Sequence, residues 1–489
     1  MHPTFLATAL LAASLASAPP ARAADSPATL KPCRLQGVEH DALCGSVRRL
    51  LNPGAPQSVQ IDVHFAVLPA LARNKLPDPV FFFAGGPGQS AMSLAGQASR
   101  LMARLSNRRD LVLIDQRGTG RSAPLLCEAD RPTRPLSETA DPVRQVSRLQ
   151  ACREALEKLP HGDLRQYTTT IAMQDAEAVR RALGVSQVNL VGGSYGTRTA
   201  LEYMRQFPGA VRRVVIDGVA PPDMVLPASF SSDAQAAFDG LLAACEADPA
   251  CAARYPALRA DWRALLASLP RDVTLLHPVT GQREDLRITR DFLLGLVRGP
   301  LYVPGLTAAL PLALGAAVRG RFEPLVGLSS AMAGGRAGAP AAGMHFSVVC
   351  AEDMPRLSQA RDQPSADFGA GFAELYLKVC ADWPRGEVPS AFYSVPATSA
   401  ATLVLSGGMD PATPPRHGAR VAQALGAKAR HVVVAHAGHG VLGIGCMRDV
   451  LFRFINAASD DDALKADADC AQAIPRPTVF VPVSAEVTR

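Results

Sequence analysis

The sequence predicts an α/β protein in which a mostly parallel sheet, flanked by helices, is interrupted by one large, mainly helical insertion. Three observations carry this. Short apolar runs end in glycine-containing loops within residues 79–88, 111–122, 188–196 and 211–218, with helical patterns between them. After Pro221 and Pro222 the composition turns to Ala, Leu, Pro and Arg in helical spacing, through about residue 395. Strand-type runs then resume at residues 401–406 and 431–435, as expected where a chain re-enters its core sheet after an insertion.

Taken in order, residues 5–15 are small and apolar, Pro19 and Pro20 break any helix there, and Ala21-Arg22-Ala23 offers an A-x-A cleavage site. The expectation is a signal peptide over residues 1–23 and an exported chain, periplasmic or extracellular. Only the amino terminus and His2 supply charge ahead of the apolar run. Residues 24–57 read as an N-terminal extension, 58–222 as the first part of the core, 223–395 as the inserted lid, and 396–489 as the second part of the core with a C-terminal extension.

The 489 residues, 48% hydrophobic, suffice for a large core and two domains. The net charge of +6 is spread without any basic run, so nucleic acid is not an expected partner. Residues 301–318 are uncharged, but Pro304, Gly305 and Pro311 make them a buried helical segment rather than a membrane span.

Ten cysteines in an exported chain suggest a disulfide set. Many connectivities are formally open. Pairing of sequence neighbours gives the shortest loops: Cys33–Cys44, Cys127–Cys152, Cys245–Cys251, Cys350–Cys380 and Cys446–Cys470. No C-x-x-C and no Cys/His cluster with zinc spacing occurs, so no metal is expected.

Residues 58–68 alternate as a strand or half of a hairpin. Pro79-Val-Phe-Phe-Phe-Ala is apolar throughout, as a strand buried on both faces requires. It runs into Gly85-Gly86-Pro87-Gly88, where backbone N–H groups can approach a ligand closely. The loop Asp115-Gln-Arg117-Gly-Thr-Gly120-Arg-Ser122 matches neither phosphate-binding spacing, so Asp115 and Arg117 read as braces of that loop. Residues 142–158 and 175–183 have helical periodicity.

The second of these helices leads to Val188-Asn-Leu-Val and then Gly192-Gly193-Ser194-Tyr195-Gly196, with a helix expected over 197–205. G-x-S-x-G between strand and helix is a nucleophile elbow, whose sharp turn excludes side chains at the flanking positions and exposes the serine hydroxyl. Ser194 is the expected nucleophile. Gly86 (or Gly85) and Tyr195 would donate backbone N–H groups to an oxyanion. Asp410, in Gly407-Gly408-Met409-Asp410-Pro411-Ala412-Thr413-Pro414, and His439, in Ala437-Gly438-His439-Gly440, each follow a strand-type run. The order Ser, Asp, His is that of hydrolases with this elbow. His439 would act as general base and Asp410 would orient it. His436 is an alternative base and Asp217 an alternative acid.

The four segments that begin at Gly85, Asp115, Gly192 and Gly407 together resemble the α/β-hydrolase-fold serine exopeptidases, and most of all the secreted tripeptidyl aminopeptidases, relatives of proline iminopeptidase. The resemblance covers residues 58–221 and 400–456, with patches in the insertion at Tyr302-Val-Pro-Gly-Leu and Val349-Cys-Ala-Glu352-Asp353. Ala84 stands where proline iminopeptidases usually show His. The resemblance implies an α/β-hydrolase fold and a cofactor-free serine peptidase. Such an enzyme removes residues from the free N-terminus of short peptides, with a lid enclosing that end. Such a pocket needs a carboxylate for the substrate ammonium, and Glu352, with Asp353 second, is the candidate. A carboxylesterase or lipase could use the same residues, with residues 301–318 holding an acyl chain. A non-catalytic binding protein on this scaffold is disfavoured by the intact Ser194, Asp410 and His439.

Overall fold

A computed structural model describes residues 27–127, 133–334, 340–398 and 400–481; the expected signal peptide lies outside these residues. Eleven strands occur among them: β1 (Lys31–Cys33), β2 (Ala42–Leu50), β3 (Gln60–Leu68), β4 (Val80–Phe83), β5 (Leu111–Ile114), β6 (Val188–Gly193), β7 (Val211–Asp217), β8 (Arg271–Leu276), β9 (Arg283–Ile288), β10 (Ala401–Gly407) and β11 (Ala429–Val434). Nine form one sheet in the order β1-β2-β3-β5-β4-β6-β7-β10-β11. The pairs β1·β2, β2·β3 and β3·β5 are antiparallel, and every pair from β5 to β11 is parallel. This is the α/β-hydrolase architecture.

The apolar runs are continuous because each parallel strand feeds two cores. Phe81 and Phe83 of β4 pack on one face of the sheet while Val80 and Phe82 pack on the other. Val112 and Ile114 of β5 likewise face away from Leu111 and Leu113, the two-residue period of a strand. Helices Thr169–Ala182 and Tyr195–Gln206 cover the first face, and helix Met447–Asn456 covers the second.

Two parts of the sheet are absent from the sequence reading. Residues taken as an N-terminal extension supply β1 and β2, which close the β3 edge through an eight-residue antiparallel register from Leu43↔Val67 to Leu50↔Gln60. Arg48 and Arg49 interrupt β2, which hides its alternation. The helix expected over 175–183 begins at Thr169 instead. Its first turns are buried on several sides, so no apolar stripe marks their start.

Between β7 and β10 the chain is mainly helical, with its own apolar cluster around Phe238, Trp262, Leu293, Leu314, Phe322 and Phe368. The hairpin β8·β9 is an addition that the sequence reading did not anticipate. Residues 301–318 form helices Pro304–Thr307 and Leu310–Val318 and bury Leu310, Ala313, Leu314 and Ala317 in this cluster. No helix among the described residues is long and apolar enough to cross a membrane. All five expected cysteine pairs are joined as disulfides.

Candidate active site

Backbone sterics at the end of β6 explain the sequence around Ser194. A Cβ at Gly192 would lie 2.2 Å from the carbonyl oxygen of Gly196, and a Cβ at Gly196 would lie 2.2 Å from that of Phe83. Ser194 itself has φ 56° and ψ −124°, a conformation that costs a non-glycine residue about 1–3 kcal/mol and persists only where its surroundings enforce it. They do so here. Ser194 N–H donates to the Asp217 carbonyl at 2.8 Å, and its own carbonyl accepts from Thr197 N at 2.9 Å and Thr197 Oγ1 at 2.6 Å. The helix Tyr195–Gln206 starts on the next residue, two earlier than the sequence suggested, so its positive end lies at Ser194.

Asp410 and His439 meet across the ends of β10 and β11. His439 Nδ1 lies 2.8 Å from Asp410 Oδ2. The other Asp410 oxygen accepts from Ala412 N at 2.8 Å and Thr413 N at 2.9 Å. Thr413 Oγ1 donates to Asp410 Oδ2 at 2.8 Å and lies 3.2 Å from Nδ1. Burial alone would raise the Asp410 carboxyl, but the nearby His439 and these N–H donors hold it below its ordinary value. Burial likewise disfavours a charged His439, yet Asp410, and Asp217 further off, outweigh it and raise the imidazole above the usual histidine value.

The described hydrogen bonds of the His439 ring run to Asp410 and Thr413, both at Nδ1, leaving Nε2 unbonded. Ser194 and His439 converge on the turn after β7: Ser194 N bonds to the Asp217 carbonyl, and a Cβ on Gly218 would lie 3.3 Å from His439 Cε1. No hydrogen bond between the Ser194 and His439 side chains occurs among the described residues. Above the imidazole lies Tyr302, ring centroids 5.0 Å apart and edge-on, and the Tyr302 carbonyl accepts from His439 N at 2.9 Å.

The two alternatives are placed elsewhere. Asp217 spends its carboxylate on Val441 N and Leu442 N, and burial pushes it up to about 6. His436 is exposed, and no described hydrogen bond ties it to an acid. On the other side of Ser194, a Cβ on Gly85 would touch the Ser194 Cβ at 3.1 Å, and Gly86 has φ 112°. Neither Gly86 N–H nor Tyr195 N–H has an acceptor among the described residues. Asp115 holds this loop, accepting from Ser90 Oγ at 2.6 Å and Met92 N at 3.0 Å. Arg117, fully buried, bridges Asp175 at 2.7 Å and the Leu51 carbonyl.

Glu352, the carboxylate expected to meet a substrate ammonium, lies buried among partners from the protein itself. Its carboxylate is completely buried, accepting from Thr169 N at 2.7 Å and Thr169 Oγ1 at 3.0 Å, with Arg198 Nη1 at 3.7 Å. Thr169 Oγ1 in turn bonds the Tyr195 hydroxyl at 2.6 Å. Burial raises Glu352 to about 7. Asp353 pairs with Arg198 Nη1 at 3.1 Å and accepts from Leu226 N. The acidic pair thus braces the helix behind Ser194. In sequence an acid beside a cysteine looks the same whether its helix turns it outward or inward; here the helix Ala342–Glu352 turns it inward. The sequence reading also missed Thr413, visible only as part of the Asp410 motif, and Tyr302, which no motif marks as a neighbour of the histidine.

Residues 78–257 match a family model described as alpha/beta hydrolase fold, and residues 364–470 one described as TAP-like protein. The chain is 26% identical to serine protease Hip1 of Mycobacterium tuberculosis, over 82% of this chain and 83% of that one. It is 32% identical to tripeptidyl aminopeptidase of Streptomyces lividans over 31% and 30% of the two chains. Identity to proline iminopeptidase of Neisseria meningitidis is 28%, over 29% and 32%.

Proposed function

Because the chain is a serine hydrolase of the α/β-hydrolase fold with a TAP-like C-terminal region, similar to serine peptidases, we propose that it is an exported aminopeptidase removing short peptides, tripeptides among them, from free N-termini. The observation that carries the reading is the 2.8 Å contact of His439 Nδ1 with a buried, ionised Asp410, beside a serine held in a positive-φ elbow.

In this reading Ser194 Oγ attacks the scissile carbonyl carbon while His439 Nε2 takes its proton. The oxyanion accepts from Gly86 N–H and Tyr195 N–H. The intermediate collapses as the imidazolium returns the proton to the departing amine, leaving an acyl-Ser194. Water, deprotonated by the same imidazole, then attacks the ester and frees the N-terminal peptide. Asp410 keeps Nδ1 protonated and stabilises the transient cation. Thr413 fixes the Asp410 carboxylate. The helical segment between β7 and β10 acts as a lid, with Tyr302 over the histidine.

Export is supported by the five disulfides and the leader-like N-terminus. Against the esterase reading, Leu310 and Leu314 of the segment expected to hold an acyl chain pack into the insertion's own core. The test is release of a chromogenic anilide from matched peptides of one to three residues, with free and acetylated N-termini and Ser194→Ala as blank. Cleavage confined to the free-amine series is expected, with the best length giving the step size. Equal cleavage of acetylated peptides, or none of either, contradicts the proposal.

A further inference from the structure

Among the described residues, four buried arginines each bond a carboxylate or carbonyl within the protein, although the Arg198 Nε is left without an acceptor. Arg109 bonds Asp78, Arg117 bonds Asp175, Arg198 bonds Asp353, and Arg213 bonds the carbonyls of Phe454 and Ile455. Arg298, on the helix Arg290–Leu301, is different. Its Nε and Nη2 are enclosed by protein and have no hydrogen-bond acceptor, and no carboxylate pairs with it among the described residues. What holds it is a cage of rings. Its guanidinium carbon lies 4.5 Å from the ring centroid of Phe230, 5.2 Å from Tyr302 and 5.5 Å from Phe372.

Aromatic faces attract the cation and fix its position, but they leave in-plane N–H donors unmet, and a buried donor without an acceptor is a cost that folded proteins seldom retain. The place of this exception is informative. Tyr302, one wall of the cage, is also the ring set edge-on to His439, so the cation stands one ring away from the imidazole. The acids of the site cannot reach out to it: Asp410, Asp217, Glu352 and Asp353 are all buried and already hydrogen-bonded.

We propose that Arg298 is a specificity group of the active site, its caged guanidinium donating hydrogen bonds to a carboxylate of the peptide substrate. A planar fork of N–H donors held among three rings matches a carboxylate in shape and charge. That carboxylate comes either from an Asp or Glu side chain near the scissile bond or from the free C-terminus of a short peptide. The inference rests on the peptidase reading above.

The test follows hydrolysis of unlabelled peptides by chromatography in two sets of pairs, Glu against Gln at each position flanking the cut, and free-acid against amidated C-termini. The full chain is compared with Arg298→Gln and Arg298→Lys, each checked for folding by thermal unfolding. In the wild type, kcat/KM for the carboxylate member of one set should exceed its neutral partner by about tenfold or more, the worth of one charge-assisted contact; the set that responds identifies the source. Arg298→Gln should abolish that ratio and Arg298→Lys should retain part of it. A wild type that cleaves both members alike, or an unchanged ratio in Arg298→Gln, overturns this proposal alone. A wild type that cleaves no peptide overturns the peptidase reading, and this proposal with it.

Discussion

Asp217 holds the backbone of Val441: both carboxylate oxygens accept from Val441 N–H, at 2.8 and 2.9 Å. The acid at the end of β7 therefore fixes the loop that carries His439, while the acid at the end of β10 touches the imidazole itself. In the proposed mechanism Asp410 is the orienting acid and Asp217 a support for the loop.

The two substitutions should then differ. Asp410→Asn should lower kcat by about four orders of magnitude, the scale seen when a triad acid loses its charge and the tautomer inverts. Asp217→Asn keeps an acceptor for the loop and should cost no more than about tenfold. Steady-state kinetics on one good substrate decides between them; equal losses would contradict the assignment.

His439 must be neutral to accept the serine proton. Its pKa lies above the ordinary 6.5 because Asp410 and Asp217 outweigh burial. The acid limb of kcat/KM should therefore have its midpoint above 6.5, with activity falling as pH drops through it. Arg298 opposes protonation of the ring, so Arg298→Gln should move the midpoint up. A limb below 6.5 in the wild type contradicts this.

The elbow should not tolerate a methyl group. In Gly196→Ala the new Cβ would meet the backbone of β4 at the Phe83 carbonyl, 2.2 Å away, which is not a flexible side chain that can move aside. Forced overpacking of this kind costs about 1–3 kcal/mol or more. A lower melting temperature together with loss of activity is expected. Full activity would show that the turn is looser than described.

Glu352 links stability to pH. Its folded-state pKa, raised from 4.5 to about 7 by burial, exceeds the unfolded value, so its contribution is fully present below pH 4.5 and is lost as pH rises through 7. In Glu352→Gln the Thr169 hydroxyl can reverse, accepting from the amide and donating to Tyr195. The variant should gain on the wild type between pH 4.5 and 7, by an amount on the order of 3 kcal/mol. Thermal unfolding across that range measures it; a gap that shrinks as pH rises would contradict the protonation state.

Much of the fold was legible because its parallel strands are apolar on both faces and end in glycine turns, as β4 and β6 do. The elbow was legible because Gly192 and Gly196 are sterically required there. Neighbouring cysteines foretold their partners because each pair closes a short loop. The hidden parts depend on contacts made far along the chain. Strand β2, with Arg48 and Arg49, becomes a strand by pairing with β3. Glu352 reads as a carboxylate free to meet a substrate ammonium until Thr169, 183 residues earlier, is seen to bond it. Arg298 carries no motif at all; its isolation is visible only once Phe230, Tyr302 and Phe372 surround it.

The central claim is that Ser194, activated through His439 and Asp410, forms the acyl-enzyme. The most direct measurement is reaction with a fluorophosphonate, followed by mass spectrometry of the digested protein. The expected result is a single adduct on the peptide containing Ser194, with loss of activity in step, and labelling strongly slowed in His439→Ala. An adduct on another serine, or loss of activity with Ser194 unmodified, would contradict the account.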